Sequence, residues 1–250
     1  MDTILNIKNL KKNYHTLEGE VEAVGDFSLT VRKGEFVIIV GPSGCGKSTI
    51  LSILCGLEQK SEGSIEYNTN NPPIIGYMLQ QDTLFPWRTI LNNCLLGLEI
   101  TNQLTGEKKE KAIKLLAKYG LQDFINHYPN ALSGGMRQRV ALIRTLAINP
   151  DILLLDEPFS ALDYQTRLAV SDDVYRIIKK EKKTVIMVTH DLAEAISMAD
   201  RIVVLSKRPA TIKKIYEINL SNKSTPIKNR KAKEFASYYE KIWKDLDVHV

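Results

Sequence analysis

Residues 36–49 constrain the fold more than any other stretch of the chain. An unbroken apolar run, Phe36-Val-Ile-Ile-Val40, passes directly into Gly41-Pro-Ser-Gly-Cys-Gly-Lys47-Ser48-Thr49, and Ile50, Leu51, Ile53 and Leu54 follow. A strand that is apolar at every position is buried on both faces, the condition of a strand inside a parallel sheet. The glycines turn the chain sharply from strand to helix with backbone N–H groups pointing inward. Residues 152–155, 184–189 and 201–205 are apolar in the same unalternating way. Three of these four runs lead directly into residues able to do chemistry, which is where open α/β sheets place their ligands.

The rest of the chain is organised around that core. Phe27-Ser-Leu-Thr-Val31 alternates apolar and polar, so a small antiparallel layer is expected near the N-terminus. Residues 87–150 turn helical: Ala112, Leu115, Leu116 and Tyr119 share one face, and a second helix is predicted from about Met136 to Ala147, stopped by Asn149-Pro150. The expected plan is one domain over residues 1–250. Its α/β core spans 1–86 and 151–206, a helical insertion spans 87–150, and a basic tail spans 207–250. In that tail Phe235, Tyr238, Tyr239, Ile242, Trp243 and Leu246 form one helical stripe. The stripe is expected to dock on the domain's own core, with a membrane surface or a partner as the alternative.

Composition narrows the function classes. An apolar fraction of 44% and a charged fraction of 25% are ordinary for a globular chain and exclude disordered or collagen-like architecture. Net charge +5 is too weak to argue for a nucleic-acid partner. Apolar runs of four or five residues fall far short of the roughly 20 that span a bilayer. No secretory signal is visible at the N-terminus. Cys45, Cys55 and Cys94 are odd in number and lack Cys-x-x-Cys spacing, so neither a disulfide scaffold nor a zinc site is expected, and a reducing cytosol fits.

Gly41 to Thr49 matches G-x-x-x-x-G-K-[ST], a pattern with a per-position chance of roughly 3 × 10⁻⁵ at average composition. Between a buried strand and an apolar helix it forms a phosphate cradle, with the positive end of the helix aimed at the anion. Gly41, Pro42, Ser43, Gly44, Cys45, Gly46, Lys47, Ser48 and Thr49 are the candidate nucleotide-binding residues, with Lys47 on the β/γ-phosphates and Ser48 on Mg²⁺. Asp156-Glu157 follows the run at 152–155, and Pro158 stops that strand. Two adjacent carboxylates at a buried strand end repel and lose solvation, so a cation should hold them. Asp156 is the candidate metal-side carboxylate and Glu157 the group that polarises water. His190, beyond the run at 184–189, is a third candidate at a strand end, placed to contact the γ-phosphate or orient the water.

Six features, in order and spacing, resemble the nucleotide-binding subunit of ABC transporters over essentially the whole chain. They are the loop at 41–49, Gln80, Leu132-Ser133-Gly134-Gly135, Asp156-Glu157, Ser160-Ala-Leu-Asp163 and His190. The signature departs from its commonest form at Met136, which supplies no essential contact. The resemblance implies an α/β P-loop NTPase fold with a parallel-sheet core, an N-terminal antiparallel β layer and an inserted α-helical subdomain. It also implies ATP and Mg²⁺ as ligands, and a head-to-tail homodimer in which Ser133, Gly134 and Gly135 serve the partner's nucleotide and Asp163 lines the interface. Tyr14, 27 positions before Gly41, stands where the family stacks an aromatic on adenine, with an ordinary packed tyrosine as the alternative. Gln80, six before Pro86, is preferred over Gln81 as the residue that senses Mg²⁺ and water.

The run Leu84-Phe-Pro-Trp87-Arg88 is similar to the importer branch serving nitrate, sulfonates and taurine. The expectation is therefore an ATPase subunit at the cytoplasmic face of the membrane, peripheral to a separate permease touched near Trp87, with an extracellular or periplasmic solute-binding protein in the complex. An exporter or lipid-extracting complex and a non-transport ABC ATPase stay open beside it.

Overall fold

The computed structural model describes residues 2–17, 19–69 and 72–246. The chain opens with two long strands, β1 (Thr3–Thr16) and β2 (Gly19–Arg32), followed by β3 (Phe36–Val40), helix α1 (Lys47–Leu54), β4 (Glu62–Tyr67) and β5 (Ile75–Met78). Helices α2 (Ile90–Ile100), α3 (Gly106–Lys118) and α4 (Gly134–Ala147) come next. The chain then returns to β6 (Ile152–Asp156), α5 (Tyr164–Lys180), β7 (Thr184–Thr189), α6 (Leu192–Met198) and β8 (Arg201–Leu205), and closes with β9 (Ile212–Glu217), α7 (Pro226–Asn229) and α8 (Phe235–Asp245).

Two sheets form. A three-stranded antiparallel sheet has the order β2-β1-β4, and a six-stranded sheet has the order β5-β6-β7-β3-β8-β9, parallel from β5 through β8. The unalternating runs behave as burial on both faces requires. Phe36, Ile38 and Val40 face the helical side with Leu153, Leu155, Val185 and Met187, while Val37 and Ile39 face the antiparallel sheet and α1 with Leu154, Ile186 and Val188. Phe27, Leu29 and Val31 are buried and Ser28 and Thr30 exposed, so the alternation in β2 has the meaning expected of it.

Two differences from the sequence expectation stand out. The second helix starts at Gly134, two residues before Met136, because the Ser133 side chain accepts from Met136 N–H and caps it. The segment 207–250 holds a sheet strand as well as a tail. β9 pairs antiparallel with β8, and as an edge strand carrying Lys213 and Lys214 it lacks the apolar pattern of the inner strands. Within α8, Ile242 is buried and Phe235 and Tyr238 pack on the core, while Tyr239 and Trp243 stack on each other and stay partly exposed. No helix among the described residues is long and apolar enough to cross a membrane.

Candidate active site

The loop between β3 and α1 depends on two glycines with positive φ, Gly44 at 69° and Gly46 at 123°. A Cβ at Gly46 would lie 2.8 Å from the Ala23 carbonyl oxygen, so position 46 excludes a side chain on both conformational and steric grounds. Lys47 opens α1 and is 6% exposed. Its Nζ donates to the carbonyls of Gly41 (2.9 Å) and Pro42 (3.0 Å) and to no carboxylate among the described residues, so the loop holds a desolvated positive charge. Cys45 is buried behind the loop, and burial pushes its thiol pKa up. Cys55 is half-buried and Cys94 buried, and both thiols are free.

Across from the loop, the carboxyl ends of β6 and β7 deliver the acidic pair and the histidine. Ser48 Oγ donates to Asp156 Oδ1 (3.0 Å) and Tyr77 OH to Asp156 Oδ2 (3.1 Å). Burial raises the Asp156 pKa; its two hydroxyl donors and Lys47 pull it down, and Glu157 pushes it up. A buried carboxylate beside a hydroxyl offers the hard oxygens that Mg²⁺ takes. Among the described residues no group of three or more His, Cys, Asp or Glu is placed to hold a metal ion by itself. The donor set fits Mg²⁺ brought in with a nucleotide.

Glu157 turns the chain at φ 43°, and its N–H donates to the Val188 carbonyl (3.0 Å). A non-glycine residue in the left-handed region costs conformational energy and is met at functional sites. Its Oε2 lies 2.9 Å from His190 Nδ1, Ser160 Oγ donates to its carbonyl (2.9 Å), and Gln80 Nε2 donates to Ser160 Oγ (3.1 Å). Gln80, Ser160, Glu157 and His190 are thus one connected chain of contacts.

Tyr14, Ser43, Gly44, Gly46, Lys47, Ser48, Thr49, Gln80 and Glu157 line one open cleft of about 390 Å³. Lys12 sits over one face of the Tyr14 ring, 4.6 Å from its centroid. The segment Ser133-Gly134-Gly135 lies elsewhere: Gly134 borders a separate cleft with Gln81, Asp82, Arg137 and Leu162. Gly135 is buried, and a Cβ there would meet Val170 Cγ2 at 2.8 Å, so close packing of α4 on α5 alone requires glycine at that position. Asp163 caps α5, its Oδ1 accepting from Gln165 and Thr166 N–H (both 3.1 Å), and the Thr166 side chain together with these bonds holds its carboxyl below the usual range.

Two residues at the site were missed in the sequence. Tyr77, on β5, carried no pattern signal. Arg208 lines the cleft and follows β8, the one parallel run with no chemistry assigned to its end.

Comparison with known proteins gives the family of the chain. The family model described as "ABC transporter" matches residues 24–160. The chain is 46% identical over 250 residues to an "Uncharacterized ABC transporter ATP-binding protein YtlC" of Bacillus subtilis (strain 168), covering 98% of this chain and 96% of that one. It is 38% identical over 221 residues to "Aliphatic sulfonates import ATP-binding protein SsuB" of Bacillus thuringiensis subsp. konkukian (strain 97-27), covering 87% of each. Among solved structures, a dimeric post-hydrolysis state of the ATP-binding cassette MJ0796 bound to ADP and Pi superposes with a TM-score of 0.72 at 34% identity, over 86% of this chain and 99% of that one. Matched by that family model over residues 24–160 and by relatives along nearly its whole length, the chain belongs to the ABC transporter family, among its ATP-binding proteins.

Proposed function

We propose that this chain is the ATP-hydrolysing subunit of an importer for a small solute, an anion of the nitrate, alkanesulfonate or taurine type, working on the cytoplasmic face of the membrane through a separate permease. The observation that carries the reading is the division of the anion-binding parts. Lys47, Ser48 and Glu157 line one cleft, with Asp156 bonded to Ser48 and His190 to Glu157, and Gly134 of the signature borders another. A second copy, head to tail, brings its signature to the first copy's phosphates, and ATP becomes part of the interface.

Within the cleft the open face of Tyr14 stacks on adenine, and the backbone N–H groups of residues 41–49 surround the phosphates. Ser48, Asp156 and Gln80 would hold Mg²⁺, which would supply neutralising charge for the phosphates. Glu157 takes the proton from a water as that water's oxygen attacks the γ-phosphorus, and ADP and phosphate leave. The Nδ1 contact keeps the His190 ring beside the Glu157 carboxylate, and a ring carrying both N–H groups would offer Nε2–H to the γ-phosphate. Lys47 and the partner's Ser133 stabilise the charge developing on the transferred group.

Trp87 is 71% exposed and stacks on Phe85 with ring centroids 5.0 Å apart, at the entrance to the helical segment. A large ring standing in solvent there suits docking against the permease. Trp87→Glu should leave ATP hydrolysis by the isolated chain at the parental rate and abolish solute uptake by the reconstituted transporter. Loss of the soluble activity would remove Trp87 from the permease contact.

The subunit assignment is tested by purifying the chain with its native membrane partners. Co-purification of a permease together with a solute receptor, and ATP-dependent uptake of a small anion, is the expected result. A permease without a receptor would favour an exporter or lipid-extracting complex, and no permease at all would overturn the transport reading.

A further inference from the structure

Of the five parallel strands, β3, β6 and β7 hand the cleft its loop, its acidic pair and its histidine, while the end of β8 has been given no task. The turn beyond β8 is tightly built. Ser206 N–H donates to the Thr211 carbonyl (2.9 Å), and Ser206 Oγ accepts from Thr211 N–H (2.9 Å). The turn is also tied to β2: Ala210 N–H donates to the Ala23 carbonyl (3.0 Å) and Gly25 N–H to the Ala210 carbonyl (3.1 Å). Ala23 is the residue whose carbonyl crowds Gly46, and Ala23 itself borders the cleft. The turn is therefore wedged between the antiparallel sheet and the phosphate loop, and its own hydrogen bonds hold its shape.

Arg208 stands on this platform and leans onto the loop. Its Nη2 and Nε donate to the Gly44 carbonyl at 2.8 and 3.2 Å, and the side chain lines the same cleft as Lys47, Ser48 and Tyr14. Pinning the Gly44 carbonyl fixes the plane of the Gly44–Cys45 peptide within the loop. Two donors of the guanidinium are used in that contact, and the remaining N–H groups, on Nη1 and Nη2, are left over. No carboxylate pairs with Arg208 among the described residues. A cation without a counter-charge, braced against an anion cradle that already contains a buried lysine, raises the local positive potential, and a multiply charged anion lowers it.

We propose that Arg208 is a nucleotide-binding residue: delivered by the end of β8 and anchored on the Gly44 carbonyl, its guanidinium bears on the phosphate chain of the bound nucleotide as a second cation beside Lys47. This deepens the reading of the cleft as a Mg·ATP site and rests on it. Arginine suits the task because one planar fork can bond a carbonyl and a phosphate at once, which a lysine ammonium does less well.

The test is titration calorimetry with Mg²⁺ and adenylyl imidodiphosphate on the full chain and three variants, R208A, R208Q and R208K, with the melting temperature of each nucleotide-free protein as the control for folding. The parent is expected to bind. R208A and R208Q should each bind about tenfold more weakly, the size of one charge-assisted contact. R208K should fall between them and the parent, and all four should melt within a few degrees of one another, because the side chain is exposed. Parental affinity in R208A and R208Q would overturn the proposal. So would a pattern in which R208Q keeps full affinity and R208K loses it, since a neutral amide would then suffice to prop the Gly44 carbonyl. A parent that binds no nucleotide would overturn the ATP site itself, and Arg208's role with it.

Discussion

Glu157→Gln should lower ATP turnover by about 10² to 10⁴ while Mg·ATP binding is kept, the range expected for loss of a general base. Glutamine has the volume and reach of glutamate, and its amide oxygen can still accept from His190 Nδ1, which lies 2.9 Å from the present carboxylate. The backbone of residue 157 keeps its bond to the Val188 carbonyl and its bond from Ser160 Oγ, so the turn at φ 43° is undisturbed. What disappears is the capacity to take a proton. Loss of the negative charge beside Asp156 also removes a repulsion felt by the anionic phosphates, which favours nucleotide binding. The effect should therefore fall on kcat and spare KM. The measurement is steady-state phosphate release beside calorimetric binding of Mg·ATP. A variant that hydrolyses at the parental rate would end the role assigned to Glu157, and one that no longer binds would show the carboxylate to be part of the binding site.

The parts of the site that were legible in the sequence are those whose physics is local. Gly41 to Thr49 is one turn between one strand and one helix, and its glycines, lysine and serine need each other within nine positions. Asp156, Glu157 and His190 were marked by the buried strands ahead of them, because a parallel sheet brings strand ends to one edge whatever lies between. Arg208 obeys the same rule but was hidden: β8 ends at Leu205, and the arginine arrives only after the chain has entered the tight turn beyond it. Tyr77 is a single hydroxyl on a four-residue strand, and only the β5–β6 pairing shows that it reaches Asp156. β9 was obscured for the opposite reason, since an edge strand with lysines reads like a tail.

Gly135 and Asp163 show the converse case, in which a motif residue has a local explanation as well. Packing of α4 on α5 already demands a glycine at 135, and capping of α5 already favours an aspartate at 163. Substitution at either residue would disturb the fold together with any contact to a second copy, so neither separates the two explanations. Ser133 caps α4 as well, its Oγ accepting from Met136 N–H at a longer 3.4 Å.

Lys47→Ala should reduce affinity for Mg·ATP by about 10²-fold or more, with ADP affected in the same direction. The magnitude follows from removing charge-assisted hydrogen bonds to phosphate from a group that is 6% exposed. Lys47 is held without a carboxylate partner by the carbonyls of Gly41 and Pro42, so its charge is presented to the loop's interior and is uncompensated until an anion arrives. Alanine removes the two carbonyl bonds together with a desolvated charge, changes of opposite sign for the nucleotide-free protein, and helix α1 loses nothing because alanine is the better helix former. The nucleotide-free melting temperature should accordingly move little, whereas the stabilisation that Mg·ATP confers on the parent should vanish in the variant, since that gain depends on occupancy. Glu157→Gln and Lys47→Ala thus divide the site: the first should bind and fail to turn over, the second should fail to bind. An unchanged ATP affinity in Lys47→Ala would mean that the phosphates lie outside the loop at 41–49. The geometry of Ser48 and Asp156 would then need another ligand.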